Sequence, residues 1–164
     1  MADRLFVAVI GSRNSGKSTT WNMLFGGTVK TGKWARTLSL GDGRSTEVFL
    51  ISGSHEEREL YAANVLKDVD CRIVLCSVQY VEEAVERTWS HIFEEGFAIY
   101  AQWLNPGHDG TEHLDRLGLI NVILEHGAVL SIRDATDGSN KLSHRVEELR
   151  QYISGWASAR GLVQ

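Results

Sequence analysis

The sequence predicts an α/β domain: a mostly parallel sheet with helices on both faces and one antiparallel hairpin near its edge. Three observations lead there. Short apolar runs that read as strands alternate with longer stretches of helical spacing along the whole chain. Only one glycine-centred hairpin turn, Gly41-Asp42-Gly43, interrupts that alternation. And 164 residues, 43% of them hydrophobic, suffice for one core in one domain (residues 1–164) without disulfides or structural metal.

Taken in order, residues 5–10 form a continuous apolar run ending at Gly11, the mark of a strand buried on both faces. A glycine- and serine-containing loop follows, then a helix from Gly16-Lys17 to just before Gly26-Gly27. Residues 28–36 are polar and basic and read as a loop; residues 37–40 and 47–52 are short strands flanking the hairpin turn. Ser54-His55-Glu56-Glu57 has the Ser-x-x-Glu form of a capping box and opens a helix to about Asp68. Residues 72–78 are the next strand, and Val81, Ala84, Val85, Thr88, Trp89, Ile92 and Phe93 stripe one helix face. A strand over 97–104, a helix over 114–126 and a strand over 129–132 follow. Val146, Leu149, Ile153 and Trp156 then stripe a last helix, and Trp89 and Trp156, on their stripes, are assigned to the core.

Composition narrows the function classes. Lys and Arg number 17 against 21 Asp and Glu, a net charge of −4, which argues against direct nucleic-acid binding. No apolar run approaches the ~20 residues that span a bilayer. The start, Met1-Ala2-Asp3-Arg4, lacks the cleavage region of a signal peptide, so a cytoplasmic location is expected. Cys71 and Cys76 cannot make a disulfide framework, and one strand would point them to opposite faces. No Gly-x-Ser-x-Gly or His-Glu-x-x-His arrangement is present.

Chemistry concentrates in Gly11-Ser12-Arg13-Asn14-Ser15-Gly16-Lys17-Ser18, which satisfies G-x-x-x-x-G-K-[ST] between a strand and a helix. The glycines let successive N–H groups turn inward toward phosphate oxygens, and the helix amino terminus adds partial positive charge. Lys17 would reach the terminal phosphates, and the Ser18 hydroxyl would ligate Mg²⁺. Such a lysine is expected to be exposed while the site is empty.

Extended to Gly11-x-x-Asn14-x-Gly16-Lys17-Ser18-Thr19-x-x-Asn22-x-Leu24-x-Gly26, the segment resembles the opening of Era-like bacterial GTPases, relatives of the Ras-like small GTPases. The resemblance implies a P-loop fold of Ras-like architecture that binds a purine nucleoside triphosphate, GTP or ATP, with Mg²⁺. It implies nucleotide contacts from Gly11, Arg13, Asn14, Ser15, Gly16, Lys17, Ser18 and Thr19, and metal contacts from Ser18 and from Thr37, where the family places a threonine sensing the γ-phosphate. His55 stands where a water-orienting glutamine is expected, making Lys17 and His55 the catalytic candidates; Glu56 could replace a missing Mg²⁺ acid through water. Arg13 could contact phosphate in cis or point into solvent. Slow hydrolysis would suit a switch or an assembly component, its protein partner reading the 28–40 loop, where Lys30, Lys33, Trp34 and Arg36 form a basic surface.

The chain also departs from that family. The family's Asp-x-x-Gly is replaced by Leu50-Ile51-Ser52-Gly53-Ser54-His55-Glu56-Glu57, with no Asp, and its guanine-reading Asn-Lys-x-Asp by Asn105-Pro106-Gly107-His108-Asp109, with no lysine and the acid one place late. Asp134-Ala135-Thr136-Asp137 is only loosely similar to the last base-contacting loop. His108, Asp109 and His113 match no structural zinc spacing. Two other readings stand beside hydrolysis: a small-molecule kinase, for which Arg133, Arg145 and Arg150 are spread out rather than gathered in a lid, and a binding module without turnover.

Overall fold

The computed structural model describes residues 3–30, 34–52, 66, 69–136 and 140–164. Among these residues six strands form one sheet: β1 (Leu5–Gly11), β2 (Arg36–Gly41), β3 (Arg44–Ile51), β4 (Ile73–Gln79), β5 (Ala98–Leu104) and β6 (Val129–Arg133). Their order across the sheet is β2-β3-β4-β1-β5-β6, with β2 and β3 antiparallel and every other pair parallel. Among the described residues the helices are α1 (Lys17–Phe25), a composite α2 over residues 82–94, α3 (Leu119–Glu125) and α4 (Lys141–Ser158). Among the described residues, no helix is long and apolar enough to cross a membrane.

β1 is the axis of the fold. Its seven residues are all buried, and alternation divides them between two cores. Phe6, Ala8 and Ile10 join Trp89 and Ile92 of α2 and Ile123 of α3 on one face. Leu5, Val7 and Val9 join Trp21 and Leu24 of α1 and Val146, Leu149, Ile153 and Trp156 of α4 on the other. Burying a side chain of this size contributes about 1.5–3 kcal/mol, so either face alone outweighs any surface contact.

Polar groups fix the helices on the second face. Trp21 Nε1 of α1 donates to Ser77 Oγ of β4 at 2.8 Å, within fully buried surroundings. Gln102 Nε2 of β5 donates to the Arg145 carbonyl at 2.9 Å, and the Tyr100 hydroxyl donates to Glu148 Oε1 at 2.7 Å. Arg150 Nη2 of α4 reaches the Leu24 carbonyl near the end of α1 at 2.7 Å. Burial and the Glu148 contact together push the Tyr100 hydroxyl well above its ordinary range.

Three expectations need correction. The helix expected over 114–126 begins only at Leu119, because the Asp115 carboxylate accepts the N–H groups of Leu119 (3.0 Å) and Ile120 (2.7 Å) from outside the helix. Gly118 then makes the turn at φ 64°. The stripe over 81–93 is helical but not uniformly α: Val85–Trp89 is a π-turn between Glu82–Ala84 and Ser90–Glu94. The wider turn is where Thr88 and Trp89, adjacent in sequence, are both fully buried. Cys71 and Cys76 do not face opposite ways, because Cys71 precedes β4; both are buried in the same core. The helix expected from Ser54 to Asp68 lies outside the described residues except for Leu66, which is buried.

The Trp21–Ser77 pair is the most exposed to a single change. Ser77→Ala leaves a buried indole N–H without its acceptor and is expected to cost about 1–3 kcal/mol in urea unfolding. An unchanged midpoint would mean that the pair does not hold α1 to the sheet.

Candidate functional site

β1 ends at Gly11, where the chain doubles back. A Cβ on Gly11 would stand 2.1 Å from Ser15 Oγ and 2.7 Å from Ser15 Cβ, so the first glycine is required by close approach. Asn14 (φ 61°) and Gly16 (φ 103°) take left-handed conformations that curl the loop. Inside the turn, the Ser15 N–H donates to the Ser12 carbonyl at 3.2 Å.

α1 begins directly after Gly16 with no side-chain cap and no acidic residue in its first turn. Its leading N–H groups therefore have no intrahelical acceptor and face the loop. Ser18 and Thr19 are exposed there, as are Arg13 and Asn14, while Ser15 is buried.

Lys17 is buried, at 8% exposure, contrary to the expectation of an exposed lysine. Its Nζ donates to the carbonyls of Gly11 (3.0 Å) and Ser12 (2.8 Å), with Ser15 Oγ at 3.5 Å. The ammonium is thus held by the loop's own acceptors, the simplest way to satisfy it without phosphate.

The segment after β5 packs on this loop. The His108 N–H donates to the Ser15 carbonyl at 3.0 Å, and a Cβ on Gly107 would lie 3.2 Å from Ser15 Cβ. The Asn105–Pro106 bond is cis. Asn105 is turned away: its Oδ1 accepts the His113 N–H at 2.9 Å and its Nδ2 donates to the His113 carbonyl at 2.7 Å. Asp109 accepts the Thr111 N–H at 3.0 Å, which holds its carboxyl below the usual range. Both side chains of the expected base-reading segment are thereby engaged within their own loop.

The structure does not bring Thr37 to Ser18. Thr37 pairs with Glu47, two residues before Phe49, which is level with Val74 of β4 and through it with Phe6 of β1. Gly11 lies five residues beyond Phe6, so Thr37 sits near the other end of the sheet, roughly 20 Å along the strands. The order β2-β3-β4-β1 also sets it three strands across. Trp34, 80% exposed, lines a cavity at that far end, whereas Val29 stays beside α1, its N–H donating to Asn22 Oδ1 at 3.0 Å. The end of β3, where the resemblance implies the Mg²⁺ acid, does not border β1 either. β4 lies between, and its Gln79 is the residue level with Gly11.

His55, Glu56 and Lys33 lie outside the described residues. Among the described residues, no three His, Cys, Asp or Glu side chains gather as a metal site, so His108, Asp109 and His113 do not form one. For Mg²⁺ at the loop the described donor is the exposed Ser18 hydroxyl, which fits an ion that takes its remaining ligands from phosphate and water. A cavity of about 500 Å³ opens at the far end of the sheet between Trp34, Phe49, Cys71 and Leu162, with no residue of the loop in its wall. No protein-family model, curated protein or solved structure matches the chain.

The residue that sequence reasoning passed over is Arg145. It is 4% exposed in α4, and its guanidinium reaches Thr20 of α1. Arg145 stands four residues before Leu149, on the apolar stripe itself, and a charge in that position was the available signal.

Close approach gives the loop a direct test. Gly11→Ala is expected to cost about 1–3 kcal/mol in chemical denaturation, because Ser15 must be displaced. Gly27→Ala, with nothing within 4 Å of its Cβ, should stay within about 0.5 kcal/mol. Equal effects would remove the Gly11–Ser15 constraint.

Proposed function

We propose that this chain binds a purine nucleoside triphosphate, GTP or ATP, with Mg²⁺ at residues 11–19 and hydrolyses it slowly. The observation that carries the reading is the uncapped, acid-free start of α1 after a buried strand, with Lys17 folded onto the carbonyls of Gly11 and Ser12. That arrangement suits phosphate, which accepts from N–H groups and from lysine together.

On binding, Lys17 exchanges its two carbonyl acceptors for terminal phosphate oxygens, so the ammonium is satisfied in both states. The N–H groups of the loop and first helical turn, fixed in place beforehand, oppose the charge of the phosphates without reorganising. Ser18 would hold Mg²⁺, which when bound neutralises phosphate charge. In hydrolysis, water attacks the γ-phosphorus and the bond to the β,γ-bridging oxygen breaks, giving diphosphate and inorganic phosphate. Neither β3 nor β4 ends in a carboxylate that could organise that water: the chain there reads Ile51-Ser52 and Gln79-Tyr80. Among the described residues, groups suited to phosphate are present and no carboxylate for the attacking water stands at either strand end.

A binding module without turnover is the second reading, favoured by those same strand ends. Phosphate release separates it from slow hydrolysis. A rate above about 1 s⁻¹ without a partner would overturn both, since unassisted small GTPases are far slower.

Titration calorimetry with Mg²⁺–GTP and Mg²⁺–ATP tests the binding claim. Lys17→Ala should weaken triphosphate binding about 10- to 100-fold, the worth of a charge-assisted contact. Unchanged affinity in the folded variant would remove the reading. Because Asn105 and Asp109 are engaged within their own loop, GTP should exceed ATP by less than about 100-fold. A larger preference would mean that these side chains turn toward the base.

A further inference from the structure

Arg145 comes from the last helix, and its guanidinium bonds Thr20, 125 residues away in sequence. Its Nη1 donates to Thr20 Oγ1, and that hydroxyl donates to the Gly16 carbonyl at 2.9 Å. Its Nη2 lies 3.5 Å from where a Cβ on Gly16 would stand, beside Leu104 and His108 Cβ. The guanidinium therefore sits directly behind the glycine that opens α1, on the side away from solvent.

This cation is poorly satisfied. Nε is buried and makes no hydrogen bond, and among the described residues no carboxylate pairs with the guanidinium. Glu148, one turn along α4, is committed to Arg133, Tyr100 and Gln102. Burial alone pulls the Arg145 pKa down to about 10, leaving it charged at neutral pH. A buried charge without a partner destabilises a fold, and a hydrophobic residue of similar volume is commonly more stable in its place. Thr20 could be held by Gly16 alone, so tethering α1 does not account for an arginine.

We propose that Arg145 supplies, from behind Gly16, the positive charge against which phosphate is bound at the loop, and that the empty protein carries this cation at a cost in stability. The inference rests on the phosphate-binding reading of residues 11–19 and adds a residue that the sequence motif does not contain. Arg145 acts through its field and needs no direct contact. Two unit charges about 8 Å apart, at an effective dielectric of about 20, change an equilibrium roughly 30-fold. Because that field acts on phosphate and not on a base, the effect should be the same for a triphosphate with or without a nucleoside.

The test measures binding of inorganic tripolyphosphate and of Mg²⁺–GTP by calorimetry, and melting of the ligand-free protein, in wild type, Arg145→Met and Arg145→Lys. Arg145→Met is expected to lose roughly 30-fold in affinity for both probes, with an unchanged or higher melting temperature in the absence of ligand. Arg145→Lys, which keeps the charge and gives up the guanidinium geometry, should recover most of the affinity. Wild-type affinity in Arg145→Met would overturn the proposal, leaving Arg145 a structural tie between α4 and α1. Equal losses in the Met and Lys variants would overturn it as well, since geometry rather than charge would then matter. If wild type binds neither probe, the phosphate-binding reading fails first and this inference falls with it. Wild-type binding with no change in Arg145→Met sinks the inference alone.

Discussion

Gly11 and Ser15 approach so closely that the space of one missing Cβ is filled by the other residue's hydroxyl. The geometry of the loop follows from that contact. It turns the chain back at the end of a strand buried on both faces, so α1 starts beside the strand it just left. It also presents the Ser15 carbonyl outward, where the His108 N–H takes it and Gly107 can press against Ser15. The carbonyls of Gly11 and Ser12 remain on the inside, within reach of Lys17. One steric condition thus couples β1, α1 and the segment after β5, which come from distant parts of the sequence.

Much of this is legible in the amino-acid sequence. The uninterrupted apolar run of residues 5–10 predicts a strand buried on both faces, and β1 is one. Trp89 and Trp156 were assigned to the core from helical spacing and are buried, on opposite faces of the sheet. What periodicity could not supply was the order of strands. An apolar run states that a strand is covered, not which neighbour it pairs with, and so β4 between β3 and β1 was invisible. Thr37 was misplaced for that reason, its distance from the loop being a matter of register and order rather than spacing. The late start of α3 was hidden differently: Asp115 looks like a residue within the helical stretch and acts as an external cap on it. Arg145 was set aside with Arg133 and Arg150 as one of three scattered charges, although only Arg145 is buried on the stripe. Dispersal in sequence concealed its place beside Gly16.

These placements give the loop a consistent electrostatic character. The first turn of α1 carries no acid, Lys17 is folded inward, and Arg145 stands behind Gly16 without a described carboxylate partner. Two cations and a set of helix-terminal N–H groups thus lie close around the loop, where an anion would be stabilised more than water. The two cations differ in how they are kept. Lys17 has carbonyl acceptors within the loop and can change partners, whereas Arg145 is fixed by burial and by Thr20. A movable contact and a fixed field are complementary, since the first can follow a ligand that the second attracts.

The same geometry explains why the proposed chemistry should lag behind binding. Positive charge assembled around a loop stabilises phosphate in the ground state as well as in the transition state, and uniform stabilisation raises affinity without raising the rate. Selective acceleration needs a group that acts on the attacking water, and strand ends beside the loop are where the fold could present one. β4 occupies that neighbouring position and ends in Gln79-Tyr80, while the Tyr80 hydroxyl is committed to Asp115 at 2.6 Å and supports α3 instead. Glu82 and Glu83, the next acids along the chain, are exposed in the first turn of α2. On the proposed reading, evolution of this loop toward faster turnover would therefore start at the end of β4, where a carboxylate in place of Gln79 would stand level with Gly11.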